Sequence, residues 1–268
     1  MTIARLHWDH YDMRPWFYFL FISNFDVLHL YLINGTDLLA STITWSVAIE
    51  EQFYLVWPLL FAFIPAKYYK FIFPVLLMAA YIFRSFYAGN EAVLNFHTLS
   101  VTGDLAIGGW AGWLSFTNKK MILFFENQSN KMRITIYFTS IVLLFLMHFS
   151  TGNFTHVFGR LAQTIFFCYM ILDQNFSKAK WLKFSNSRFM SFWGKYTYGL
   201  YLWHPLVLLV IMVVLTRGFH FSLQSISTYL IAAPVGLALS LLISYCSYHF
   251  VERYFLNLKK RFTFINNQ

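Results

Sequence analysis

The chain has 268 residues, 58% of them hydrophobic and 12% charged, whereas soluble globular domains run at about 45–50% apolar and about 25% charged; the composition points to a membrane protein. A formal charge of +9 would suit nucleic acid, but the Lys and Arg are spread between apolar segments and form no single basic stripe with base-stacking aromatics, which excludes that partner. Cys168 and Cys246 lie inside apolar runs with no metal-ligand spacing, so they read as packing residues and no metal is expected.

Windows of about 20 apolar residues mark eight candidate spans, at 15–34, 44–64, 70–88, 99–116, 132–149, 155–173, 193–215 and 226–250. The expected fold is therefore all-α, a polytopic transmembrane bundle of about eight helices forming one domain over 1–268. The first window is the weakest, because Asn24, Asp26 and His29 interrupt it; such a segment faces protein or water on one side, or lies at the interface. No signal-peptide pattern precedes it. With the amino terminus inside, 17 Lys and Arg fall on the cytoplasmic side, and only Arg84, Arg160 and Arg217 fall outside. That partition predicts cytoplasmic termini and a multi-pass protein of the cytoplasmic membrane.

The second window holds T-W-S-V-A-I-E-E-Q-F-Y-L-V-W-P, with Glu50 and Glu51 in a stretch otherwise fit for lipid. A carboxylate there costs on the order of 2.5–3.5 kcal/mol, so something must offset it. Ser46, Glu50 and Phe53 share a face by i, i+4, i+7 spacing, with Glu50 about 9 Å below the outer end of its helix. Arg84, Asp104 and Arg160 come at similar depth in later windows, and His97, His148 and His156 at the same level. Since intramembrane charges pair with one another, a polar cavity open to the outside, bordered by Glu50, Arg84, Asp104 and Arg160, accounts for them; structural ion pairs locking the bundle account for them equally. The G-G-W-A-G run at 108–112 reads as a surface for close helix packing. In the seventh window, G-K-Y-T-Y-G-L-Y-L-W-H-P places His204 about 16 Å from the inner end, and Pro205 releases the carbonyl of Tyr201 from the helical ladder.

These residues carry a resemblance to the acyltransferase family 3 membrane proteins, which include O-acetyltransferases of bacterial surface polysaccharides. Trp45, Ser46, Glu50, Phe53, Tyr54 and Pro58 match the family's W-S-x-x-x-E-x-x-F-Y-x-x-x-P signature position by position. Asn24-Phe25, the D-L-A-I-G-G run from Asp104 to Gly109, Y-G-L-Y-L-W-H-P from Tyr198 to Pro205, and the closing Y-H-F-V-E-R resemble further family motifs, with Tyr254 where the family has a proline. The resemblance implies acyl transfer, most often of acetyl, from a cytoplasmic acyl-CoA such as acetyl-CoA to a sugar hydroxyl of a surface or lipid-linked glycan. It marks Glu50 and His204 as catalytic candidates and Trp45, Ser46, Tyr54 and Tyr201, beside Arg84, Asp104 and Arg160, as substrate-binding ones. No bound cofactor is implied; the partners are the lipid bilayer and the glycan acceptor. Family members open with a helix carrying a basic residue and, eleven positions on, a histidine thought to be catalytic, then an R-x-x-R pair. His7 and His10 fit neither. The expectation is therefore a chain lacking the opening helices, inactive alone and completed by a separate fragment. A non-catalytic remnant and a transporter or flippase lined by Glu50 and His204 are the rival expectations.

Overall fold

The computed structural model describes residues 14–34, 43–150, 152–179, 183–222 and 225–260; Arg5, His7, His10 and Arg261, and the side chain of His148, lie outside the described residues. Every element among them is helical. The chain divides into two compact units, Met1–Leu38 with Thr44–Lys183, and Leu39–Ile43 with Phe184–Gln268.

In the first unit, the window expected as one span is broken into α1 (Pro15–Phe19) and α2 (Ser23–Asn34). The break falls at Phe21, whose φ of 54° no helix tolerates. The 12 residues of α2 reach only about 18 Å, short of a bilayer core of about 30 Å. Then follow α3 (Thr44–Phe63), α4 (Tyr69–Phe86), α5 (Glu91–Phe96), α6 (Thr98–Thr117), α7 (Lys119–Asn127), α8 (Asn130–His148) and α9 (Asn153–Phe176). Side-chain caps set several starts: Asn90, Asn118 and Ser129 accept from Val93, Lys120 and Met132 N–H.

Among the described residues four segments are long and apolar enough to cross a membrane: Ala66–Phe86, Asn130–Met147, Arg188–Gly218 and Ile226–Leu258. Helices α3, α6 and α9 have the length, with 20, 20 and 24 residues, but carry the polar groups described below. Large apolar side chains stand outward, such as Phe116 (93% exposed) and Phe250 (83%), while Asn24, Arg84, Ser100, Arg133 and Asp173 are buried. That inversion suits lipid, where close packing and internal polar contacts hold helices together.

Helices α4 and α6 pack closely. A Cβ on Gly103 would lie 3.1 Å from Ala80 Cβ, and one on Gly109 2.9 Å from Phe73. Gly109 thus does the close packing expected of G-G-W-A-G, whereas an added Cβ on Gly108 or Gly112 would meet nothing within 4 Å. Helices α8 and α9 are locked by the buried Arg133–Asp173 pair at 2.8 Å, with Arg133 also donating to the Phe125 carbonyl at 2.7 Å.

The second unit holds α10 (Arg188–Trp193), α11 (Thr197–Val213), α12 (Ile226–Ser247) and α13 (Arg253–Lys260). Helices α11 and α12 pack antiparallel around Val207, Ile211, Leu215 and Ala232.

Candidate active site

The first unit contains a polar cavity of about 800 Å³ whose walls include Trp45, Arg84, Asp104, His156, Arg160 and Thr164. Asp104 on α6 faces α9 and is held there twice: Arg160 Nε donates to Oδ2 in an ion pair, and Thr164 Oγ1 donates to Oδ1 at 2.8 Å. Arg160 and Thr164 are four residues apart, hence neighbours on one helical face. The pair keeps access to the cavity, with side-chain exposures of 26% for Arg160 and 19% for Asp104. Among the described residues the terminal nitrogens of Arg160 make no hydrogen bond, which leaves them as donors toward the cavity. His156 is also part-exposed, its Nδ1 3.8 Å from Glu91 Oε1.

Arg84 differs. It is 2% exposed and donates to the Val157, Leu94 and His156 carbonyls and to Ser100 Oγ, at 2.7–3.0 Å. The expected carboxylate partner is absent among the described residues; neutral acceptors from α5, α6 and α9 take its place. A guanidinium with four of its five N–H groups so occupied ties helices together.

Glu50 does not border this cavity, and the expected grouping with Arg84, Asp104 and Arg160 is corrected accordingly. The inward stripe of α3 is Trp45, Ala48, Ile49 and Gln52, of which Ala48 and Ile49 are fully buried. At about 100° per residue Glu50 and Glu51 fall some 140° and 120° to either side of that stripe, and both are exposed. The inward polar residue of E-E-Q is Gln52. Its Nε2 donates to Asn24 Oδ1 at 2.9 Å and to the Phe21 carbonyl, its Oε1 accepts from Thr98 Oγ1, and Asn24 closes the ring onto Thr98 and the Phe96 carbonyl. Spacing from Trp45 (i+7) would have picked out Gln52; the charge of its neighbours drew attention away from it. Trp45 lies edge-on to Phe96 at 5.3 Å. Ser46 is half-buried and has a partner, and Tyr54 is 60% exposed, away from the cavity.

His97 is not a cavity residue. Its Nδ1 caps α6 by accepting from Leu99 N–H at 3.2 Å, its ring packs on Phe25 and Phe83, and burial pushes its pKa below the ordinary value.

The cavity continues. A second space of about 330 Å³ shares Asp104, Thr164 and Phe167 with it and runs between α6 and α9 past Gly108 and Gly112 to Ser115 and Asn175. From His156 to Phe176 the two extend about 30 Å along α9, and at the far end Lys119, Lys120 and Lys178 follow in the chain. His204 and Tyr201 line a different cavity, within the second unit, between α11 and α12.

A family model described as an acyltransferase domain matches residues 4–248. No curated protein and no solved structure matches the chain.

Proposed function

The chain belongs to acyltransferase family 3, and from that premise we propose that it transfers an acetyl group from acetyl-CoA to a sugar hydroxyl of a surface or lipid-linked glycan. The observation that carries this reading is the Asp104–Arg160 pair at the junction of a wide polar cavity and a narrow groove. The wide cavity suits a glycan, which needs many polar contacts. The groove, kept open by Gly108 and Gly112, suits an extended thioester arm arriving from the side where the lysines are counted. The acceptor oxygen attacks the thioester carbonyl, the C–S bond breaks, and the hydroxyl proton ends on the departing thiolate. His156 is the titratable nitrogen on the wall and takes the role of proton carrier. The terminal nitrogens of Arg160 face developing oxyanion charge, and Asp104 holds Arg160 in place.

Since α2 is too short to cross, the topology that fits carries the later windows across with the carboxyl terminus and the loop at 174–192 cytoplasmic, supported by the Lys and Arg that gather at 119–131, 178–195 and 253–261. A cysteine placed at Ser187 in intact cells should resist external labelling; external labelling would overturn the orientation. Glu50 is exposed on an apolar helix and makes no ion pair among the described residues, so its role in the proposed reaction is as a contact outside the Asp104–Arg160 cavity.

Purified protein in lipid nanodiscs is the assay, using labelled acetyl-CoA and candidate glycans. Transfer that disappears in Arg160→Ala supports the reading. Undiminished transfer in Arg160→Ala, or glycan movement without acetyl-CoA consumption, would overturn it, the latter in favour of transport.

A further inference from the structure

The Asp104–Arg160 pair leaves the polar cavity with a surplus of charge. Its walls carry two guanidiniums, Arg84 and Arg160, against one carboxylate, Asp104. Asp104 is paired with Arg160, and Arg84 directs its hydrogen bonds to three carbonyls and a hydroxyl. Those dipoles satisfy its N–H groups but bring no negative charge, so with His156 neutral one positive charge stands beside the cavity without a counter-ion. Glu91, next to His156, is 60% exposed and is not a wall residue; water screens it. Charges within a membrane bundle are ordinarily matched by a partner, and the partner called for here is an anion inside the cavity.

Arg84 is 2% exposed, so it acts on an occupant through its field and not by contact. The contacts come from two amides. Gln163 on α9 and Asn95 on α5 both line the cavity, are exposed, and make no hydrogen bond among the described residues. Gln163 lies three residues after Arg160 and shares its helical face. Asn95 directly follows Leu94, whose carbonyl accepts from Arg84 Nη1 at 2.9 Å. Each amide offers two N–H donors, and the field of Arg84 favours a negatively charged acceptor for them over a neutral one. Trp45 adds a flat apolar surface to the same walls.

We propose that the acceptor held in this cavity is an acidic sugar, whose carboxylate is the counter-charge to Arg84 and is held by the side-chain N–H groups of Gln163 and Asn95. The inference rests on the reading that the wide cavity takes the glycan, and it names the class of glycan. Arg160 stays with the reacting carbonyl, while Gln163 and Asn95 select the substrate. A carboxylate fits because it brings a single negative charge, equal to the surplus, whereas a phosphate monoester brings about −1.5 to −2 at pH 7. A hydrogen bond to an ionised acceptor is also about twice as strong as one between neutral groups, so two amide donors suffice to tell a carboxylate from a hydroxymethyl group.

The test uses the full chain in nanodiscs and a matched pair of oligosaccharides, one containing glucuronic acid and the other its carboxyl-reduced form, with binding read by titration calorimetry in the absence of acetyl-CoA. The acidic member should bind at least tenfold more tightly. Gln163→Glu and Asn95→Asp keep the side-chain shape at exposed positions, put a carboxylate where an amide donor stood, and should each bring that ratio close to one. Equal binding of the pair, binding of neither, or a ratio unmoved by both substitutions would overturn the proposal. Tighter binding of a phosphate-bearing counterpart would overturn it too. Adding labelled acetyl-CoA then separates the two readings. A tenfold preference in binding with no transfer to either member refutes acyl transfer at Asp104 and leaves the acidic-sugar site standing; transfer to both at equal rates does the reverse.

Discussion

The two cavities are built in opposite ways. In the first unit the walls carry charges, and each named charge has partners: Asp104 is held by Arg160 and Thr164, and Arg84 by four neutral acceptors. In the second unit the walls are apolar, and the single buried hydroxyl at Ser240 has no partner. Within lipid a charge without a partner is too costly to keep, so a polar site must be assembled as a network. A lone neutral hydroxyl costs far less to leave without one. The first arrangement suits chemistry on charged or polar species.

The largest effect should separate the cavities by activity. Arg160→Ala should lower acetyl transfer by about 10²–10³, the usual loss on removing one oxyanion donor, and Asp104→Asn should follow it because Arg160 loses its anchor. Ala233→Trp in the other cavity should change turnover less than about threefold. A large loss from Ala233→Trp with Arg160→Ala active would reverse the assignment of the two cavities.

Next comes the contrast of the two arginines inside the first cavity. Arg84→Ala removes four hydrogen bonds to the Val157, Leu94 and His156 carbonyls and Ser100 Oγ and should destabilise the protein by about 3 kcal/mol, since hydrogen bonds from a charged group contribute about 1.5–3 kcal/mol. Arg160→Ala, on a part-exposed pair, should cost about 1 kcal/mol or less. Thermal unfolding in detergent reads both. A stable but inactive Arg84→Ala would show that Arg84 meets the substrate rather than the helices.

A smaller contrast lies within α3. Gln52→Leu breaks the ring with Asn24 and Thr98 and should cost about 1–3 kcal/mol of stability. Glu50→Gln should leave stability unchanged and lower transfer about tenfold, equivalent to ~1.4 kcal/mol in the barrier, with Glu51→Gln milder. Equal losses from the two glutamates would remove Glu50 from any specific contact.

How much of this was legible in the sequence follows the same division. Asp104 and Arg160 were readable because a charge in an apolar window has few explanations. The helical class was readable from apolar windows, but four segments meet the length and hydropathy of a span among the described residues, because α3, α6 and α9 carry polar and charged residues within their length. Arg84 was found by its charge and misjudged in its partners, since backbone carbonyls leave no mark in a sequence. Ser240 and the open faces of Gly108 and Gly112 were invisible: each depends on what a neighbouring helix fails to place beside it, and that is fixed only by packing.

The smallest effect distinguishes two histidines that the sequence set at one level. His97 caps α6 through a ring nitrogen that accepts from Leu99 N–H, so only the neutral ring can serve. Burial favours the same form, which puts its folded pKa below the ordinary 6.5. The unfolded chain then binds the proton more readily than the folded one. The stabilisation is complete above about 6.5 and is lost as pH falls from there toward the folded value. For a half-buried cap the loss is about 1 kcal/mol or less, a fall of about 2–4 °C in the unfolding midpoint between pH 7.5 and 5.5. His156 makes no such cap; its Nδ1 lies 3.8 Å from Glu91 Oε1. His97→Asn keeps a capping acceptor and removes the titration, so it should abolish the acid-side fall without lowering stability at pH 7.5. An acid-side fall that persists in His97→Asn would move the titrating group elsewhere in the molecule.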